Sequence, residues 1–293
     1  MKVAYTSDLH VDVTKKNREL PGYLAEELSA IGPDVFVLAG DVSPGLGELE
    51  LTLSAFASIS CRKLFVAGNH DVWSNPSPET RRRDTSVKYQ SEISAAVKRG
   101  GFTYLMDRGA VIDGVAFAGA MGWFDYSLRN RELDSVIVQS QYERGRFRNL
   151  QWNDFVHTDW RGLFHDGGDS DRIPAGSVAG WMTDSISAQI EDLLPSSPRS
   201  VVVCTHFLPT PRLIRFSHDP HLDFPCAYLG SEGMEGLIER FPQISHWIAG
   251  HIHFKRSLEW SGVLFCTSPV GYLRGPESDL AEVARRSIST FEL

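Results

Sequence analysis

Basic charge, cysteine and long apolar runs are all scarce in this chain, and each scarcity removes a class of protein. Lys and Arg number 29 against 37 Asp and Glu, a net charge of −8. A dedicated nucleic-acid or anionic-membrane binder draws most of its affinity from cations that neutralise phosphates, so that class is disfavoured, although a local basic pocket is not. The four cysteines, Cys61, Cys204, Cys226 and Cys266, show no Cys-x-x-Cys spacing. That sets aside a disulfide scaffold and a structural zinc site, and the cysteines read as small reduced core residues. No stretch approaches the roughly 20 apolar residues of a membrane span. Met1 to His10 reads as a strand followed by polar groups, not as a leader, so no membrane association is expected and the expected location is cytoplasmic.

What is present is a chain of 293 residues, 42% hydrophobic and 23% charged, enough to bury a full core as a soluble globular protein. Without a repeat, low-complexity tract or linker, it is expected to form a single domain over residues 1–293. Lys2 to Thr6 predicts a strand, and Glu19 to Ile31 a helix with Leu20, Leu24, Leu28 and Ile31 on one face. The plan repeats with Val35 to Ala39 and Leu46 to Ser60, then with Lys63 to Ala67. Three β-α units with continuous apolar strands imply a parallel sheet covered by helices, whose sites form beyond the carboxyl ends of the strands.

Later elements are less regular. Pro76 to Asp84 predicts a loop, Thr85 to Arg99 a helix, and Thr103 to Ala120 a hairpin pivoting on Asp113-Gly114. Helices are expected over Val178 to Leu194 and Glu232 to Phe241. Further strands are expected at Val201 to Cys204, His246 to Ala249, Ser257 to Cys266 and Ser287 to Glu292.

The strand ends carry the chemistry. Asp8, His10, Asp41, Asn69, His206, His251 and His253 are all oxygen or imidazole ligands, with no thiolate among them. Singly they have ordinary readings as caps, turns or surface imidazoles. Together, at successive ends of one expected sheet, they predict a metal site. The set exceeds what one four-coordinate ion needs and suits two transition ions bridged by a carboxylate. Asp41, on the central strand, is the natural bridge, and a hydroxide held between the ions is the expected nucleophile. His157, His165, His218, His221 and His246 lack matching partners and are expected to be surface or packing residues.

Asp8-Leu9-His10, Gly40-Asp41, Gly68-Asn69-His70-Asp71, Thr205-His206 and Gly250-His251-Ile252-His253, in this order, resemble the calcineurin-like metallophosphoesterase superfamily over nearly the whole chain. The resemblance implies a four-layer α/β/β/α sandwich of two mixed sheets flanked by helices. It implies that Asp8, His10, Asp41 and His253 hold one ion, and that Asp41, Asn69, His206 and His251 hold the other, with Mn, Fe or Zn as the expected metals. His70 would be the acid facing the leaving oxygen, and Asp71, where many members carry Glu, would orient it.

The implied activity is hydrolysis of a phosphate ester, with a phosphodiester or nucleotide-type small substrate favoured. Phosphomonoesterase and protein phosphatase activities are the alternatives within the class, and a non-catalytic interaction scaffold the alternative outside it. Acidic charge and the lack of a dedicated nucleic-acid domain weaken a nuclease reading, and the sequence does not speak to oligomeric state.

Residues 121–181 break the pattern and read as an insertion that covers the metal edge like a lid. Gly119 to Gly122 would carry Trp123 and Asp125 near the site. Arg129, Arg131, Arg144, Arg146, Arg148 and Arg161, with Trp152, Trp160 and Trp181, suit a phosphate and a flat base. Arg144, Arg146 and Arg148 are the expected cluster. Surface ion pairs and a small aromatic core account for the same residues equally well.

Overall fold

Alternate residues of the buried strands face opposite ways, and the two sets build two different cores. A computed structural model describes residues 1–74, 84–164, 173–275 and 279–293. The loop expected from Pro76 as far as residue 83, and His165, lie outside them. The strands are β1 (Lys2–Thr6), β2 (Val35–Ala39), β3 (Arg62–Val66), β4 (Thr103–Tyr104), β5 (Ala110–Ile112), β6 (Val115–Gly119), β7 (Arg146–Phe147), β8 (Leu150–Gln151), β9 (Ser200–Cys204), β10 (Ile244–Ala249), β11 (Arg256–Trp260), β12 (Val263–Thr267) and β13 (Ser289–Glu292). One sheet runs β13-β1-β2-β3-β4 and the second β11-β12-β10-β9-β6-β5, with β7 and β8 pairing separately. Both large sheets are mixed: the inner strands are parallel, while β13, β11 and β5 are antiparallel to their neighbours.

Val35 and Val37 of β2 join Val115, Phe117, Val202 and Ile248 in a core between the sheets. Phe36, Leu38 and Phe65 face the other way, against Leu24, Leu28 and Leu53 of the covering helices and against Phe56 in the turn that follows the second of them. On the second sheet, Ala116, Val201 and Val203 belong with Met182, Ile186 and Ile190 of the helix Ala175–Leu193. Two mixed sheets flanked by helices are therefore what the strand composition produces.

Several boundaries differ from the sequence reading for local reasons. The first helix is Lys15–Ile31, begun by Thr14, whose hydroxyl accepts the Asn17 N–H, and ended by Gly32 at φ 59°. Leu46–Ser54 stops short of Ser60, because Ser54 turns its hydroxyl back to the Glu50 carbonyl at 2.8 Å and the chain continues as turns. The Asp113-Gly114 hairpin exists with both residues at positive φ, but Thr103–Tyr104 pairs with β3 in the other sheet. Ser257 to Cys266 is a second hairpin, turned at Ser261-Gly262, rather than one strand. Ser287 ends a helix, Leu280–Ser287, that the sequence reading did not assign; Asp279 caps it. Among the described residues, no helix is long and apolar enough to cross a membrane.

Candidate metal centre

The inner strands of each sheet run parallel, so their carboxyl ends collect along one edge, and Ser7 stitches the two sheets there through its N–H to the Ser268 carbonyl at 3.2 Å. Asp8 and His10 follow β1, Asp41 follows β2, Asn69 and His70 follow β3, His206 follows β9, and His251 and His253 follow β10. Asp8, His10, Asp41 and His251 have φ of 58°, 45°, 58° and 69°. Left-handed backbone at four non-glycine residues costs energy that the surroundings must hold in place. Asp8 N–H bonds the Gly40 carbonyl at 2.9 Å, His10 N–H the Asp41 carbonyl at 3.0 Å, and His251 N–H the Asp8 Oδ1 at 3.2 Å. Position 68 must be glycine, since a Cβ there would strike the Asp41 carboxylate.

Two groupings result. In the first, His10 Nε2 lies 3.1 Å from His253 Nε2, 3.9 Å from Asp8 Oδ1 and 3.7 Å from Asp41 Oδ2. In the second, His206 Nε2 lies 3.4 Å from Asp41 Oδ2, 3.2 Å from Asn69 Oδ1 and 3.2 Å from His251 Nδ1. Asp41 belongs to both. Asp8, His10 and His253 form one set able to hold a metal, and Asp41, His206 and His251 another. His10, Asp41 and His70 form a third, so His70 stands at the border of the first grouping.

The donor chemistry fits a pair of transition ions. A shared proton reconciles one pair of facing imidazole nitrogens, whereas a cation satisfies every donor converging on it at once. Carboxylate and amide oxygens with imidazole nitrogens suit Mn, Fe or Zn. The protein charges are ill-matched among themselves. Burial holds the His10 imidazole down to about 4, and burial followed by the neighbouring His206 charge holds His251 down to about 3. Burial also opposes a charge on His206, but the Asp41 carboxylate outweighs it and raises that imidazole to about 9. A family model of calcineurin-like phosphoesterases matches residues 1–255.

The chain belongs to that family. The phosphoesterase is similar to the phosphopantetheinyl hydrolase of Mycobacterium tuberculosis, with 19% identity, a TM-score of 0.67, and 93% of this chain and 90% of that one covered. It is also similar to a dimetal phosphatase from Danio rerio, with 13% identity, a TM-score of 0.54, and 99% and 91% covered. A comparison with curated protein sequences finds no match. The resemblance read from the five sequence blocks, the two-sheet fold and a metal-dependent phosphoester hydrolase therefore stand.

Asp71 does not orient His70. Its Oδ1 accepts the backbone N–H groups of Val42 and Ser43 at 2.8 and 3.0 Å, and its Oδ2 those of Asp41 and Gly68 at 2.9 and 2.8 Å. Being short and within the turn Asn69–Val72, it reaches back to Gly68 and across to the Asp41 loop, locking two ligand-bearing loops together. Burial and then the Asp41 charge push its carboxyl up to about 6. His70 is instead plated by Trp73, with rings stacked 3.7 Å apart, and Trp73 stacks in turn on His157 at 4.8 Å.

The residues expected to read the substrate lie elsewhere. Trp123 is buried in an aromatic core, stacked on Phe124 at 4.8 Å and edge-on to Trp160 at 5.3 Å, because the chain leaving β6 turns inward at Gly122. Asp125 closes a turn by accepting the Ser127 N–H and bonds the Ser231 hydroxyl at 2.6 Å. Arg144, Arg146 and Arg148 are exposed; Arg146 reaches Gln151 at 3.2 Å, and Arg148 lies over the Phe147 ring. None of these five lines the cleft of about 280 Å³ beside Asp41, Asn69 and His251. Its walls are Trp73, Gln151, Trp152, Asn153, Leu229 and Tyr272. Of the remaining histidines, His218 pairs with Glu132, His221 bonds Asn149 and His246 stacks on Phe291.

Two residues that the sequence reading left out of the site, Asp154 being read there as a partner in surface ion pairs, hold the loops that carry it. Asp154 is buried and bonds Asn69, Trp73 and Trp152; burial pushes its carboxyl up against those three donors, which hold it down. Lys88, also buried, donates to the carbonyls of Pro44 and Trp73 at 2.7 and 2.6 Å. Lys88 sits at the start of a π-helical turn, Lys88–Glu92, an irregularity that often marks functional positions.

Proposed function

We propose that the chain is a dinuclear-metal phosphoesterase acting on a small phosphodiester or nucleotide-type substrate. One observation carries the dinuclear part: the Asp41 carboxylate is shared by the His10–His253 grouping and the His206–His251 grouping. Asp8, His10, Asp41 and His253 would hold one ion, and Asp41, Asn69, His206 and His251 the other. Bound ions would supply a nucleophile at neutral pH and the positive charge that a phosphoryl displacement needs. The chain's own groups do the rest. His70, stacked on Trp73 and edge-on to His10 of the first grouping, would give a proton to the departing oxygen.

The cleft supports the substrate class. A volume of about 280 Å³ suits a small compound, and indole and phenol rings beside two neutral amides suit a flat or apolar alcohol portion. Gln151, Trp152, Asn153 and Asp154 in its lining support residues 121–181 as a wall over the metal edge, within a single domain spanning the chain.

The test is a screen of purified protein, loaded in turn with Mn, Fe, Zn and Co, against bis-p-nitrophenyl phosphate, p-nitrophenyl phosphate and nucleotides, with metal content measured in parallel. Two ions per chain and faster diester cleavage are expected. Preference for the monoester would make it a phosphomonoesterase, and two bound ions without turnover on any ester would favour the scaffold reading.

A further inference from the structure

Three N–H groups converge on one buried carboxylate behind the second ligand grouping. Asp154 follows β8 and opens the short turn Asp154–His157. Its Oδ1 accepts the Asn69 amide Nδ2 at 2.9 Å and the Trp73 indole Nε1 at 2.6 Å, and its Oδ2 accepts the Trp152 indole Nε1 at 2.7 Å. Only 1% of the residue is exposed, so these protein donors take the place of water.

The Asn69 bond has a chemical consequence. A side-chain amide has one ligating atom, its oxygen, and an NH2 that cannot ligate. With Nδ2 on Asp154, the oxygen is turned to His206 Nε2 at 3.2 Å, inside the grouping shared with Asp41 and His251. The flipped amide would set its oxygen against the carboxylate and its NH2 against the imidazole. The same Asp154 oxygen also holds Trp73, whose ring plates His70. Trp152, on the other oxygen, forms part of the cleft wall and stacks on Tyr228 at 4.7 Å.

We propose that Asp154 is a positioning residue that sets the orientation of the Asn69 amide, and that it ties the cleft wall, the second metal-ligand grouping and the His70 plate into one unit. The inference rests on the dinuclear reading. Its effect is selective: losing Asp154 weakens the ion held by Asp41, Asn69, His206 and His251 and leaves the ion held by Asp8, His10, Asp41 and His253 nearly unchanged. Outer partners of metal ligands are typically worth about 10- to 100-fold in affinity.

The experiment titrates metal-free protein with Mn2+ alone, reading two binding steps by calorimetry and by electron paramagnetic resonance, alongside circular dichroism for fold. In Asp154→Ala one step should weaken by about 10- to 100-fold while the other moves less than about threefold. Asp154→Asn presents one oxygen and one NH2 to three donors, so it should weaken the same step. Adding Trp152→Phe removes the conflicting indole N–H and should restore that step toward wild type. Trp152→Phe alone should leave both steps in place. A folded Asp154→Ala protein with both steps unchanged would overturn the proposal. If Asp154→Ala does not fold, the asparagine pair decides: no weakening in Asp154→Asn, or no recovery with Trp152→Phe, overturns it equally. Wild-type protein that takes up only one Mn2+ per chain would instead refute the dinuclear reading, so the two failures are distinguishable.

Discussion

Asp41 Oδ1 accepts the backbone N–H of His70 at 2.9 Å, so one carboxylate both fixes the His70 backbone and turns its other oxygen to the two ligand groupings. Asp41→Asn places an NH2 in that shared position and also removes the charge that raises His206. It should reduce affinity for both ions by at least about a hundredfold, the upper end of what an outer partner alone is worth, and abolish turnover. Metal analysis after dialysis checks this. Two tightly retained ions with normal turnover would mean that Asp41 is not shared.

His70→Ala should spare metal content and lower turnover, within the roughly 10²- to 10⁴-fold range of general-acid effects. The loss should be larger for alkyl esters, whose leaving alkoxide needs a proton, than for nitrophenyl esters, whose leaving phenolate does not. Because His70 also lies in a grouping with His10 and Asp41, metal content separates the roles: loss of one ion, or equal defects on both esters, makes it a ligand or a phosphate-binding group. Trp73→Leu should reproduce part of the alkyl-ester defect by freeing the ring.

The candidate ligand set was legible as a cluster because its residue types announce their chemistry and because short apolar strands mark where each one sits. Asp8, His10, Asp41 and the His251–His253 pair need no tertiary information to be noticed, and the fold brings them together as parallel strand ends do. Asp154 gave no such signal. It lies in a stretch without periodicity, and its meaning comes from Asn69, which is 85 residues away in sequence. Trp73, three residues after His70, was the one available hint, since that spacing is about one helical turn. Asp71 misled because a carboxylate next to a histidine suggests orientation of its ring, whereas its short side chain is used up by four backbone N–H groups. Trp123 misled because apolar area in an insertion serves either a substrate or the insertion's own core, and sequence does not separate the two.

Asp71→Asn should destabilise the fold. Each Asp71 oxygen accepts two backbone N–H groups, so an amide NH2 must face one pair of donors and leave them buried without acceptors. A loss of about 1 to 3 kcal/mol is expected, measured by urea unfolding of the metal-free protein. An unchanged unfolding midpoint would mean that water replaces the lost acceptor.

Asp223 predicts a pH dependence away from the metal centre. Burial pushes its carboxyl up, but Asn130 Nδ2 at 2.8 Å, Ser217 N and Oγ at 2.9 and 2.7 Å and His218 N at 2.9 Å outweigh burial and leave it below the ordinary range. A folded-state value below the unfolded one means that the contribution is complete above the unfolded value of about 3.9 and disappears as pH falls through the folded value. The stability difference between wild type and Asp223→Asn should therefore be constant from about pH 7 to pH 5 and shrink below about pH 4. A difference independent of pH down to the acid transition would show that the ionised form is not the one the four donors favour.

The arginine cluster and the cleft tryptophan give opposite expectations for substrate binding. Arg144, Arg146 and Arg148 are exposed and outside the cleft lining, with Arg146 spent on Gln151 and Arg148 over Phe147. Replacing all three by Ala should leave the Michaelis constant for each ester within about twofold, since exposed charges at that remove are screened. Trp152 lines the cleft, braced by Tyr228 on one face and by Asp154 at its indole nitrogen. Trp152→Ala should raise the Michaelis constant for aromatic diesters by roughly two- to twelvefold, which corresponds to the ~0.5–1.5 kcal/mol of an aromatic contact. The effect on small alkyl esters should be less, with both ions retained. Steady-state kinetics on matched aryl and alkyl diesters reads both. A large increase in the triple arginine variant with intact metals would place those side chains on the substrate after all, and an unchanged constant in Trp152→Ala would remove the tryptophan from recognition and leave it as the far end of the Asp154 brace.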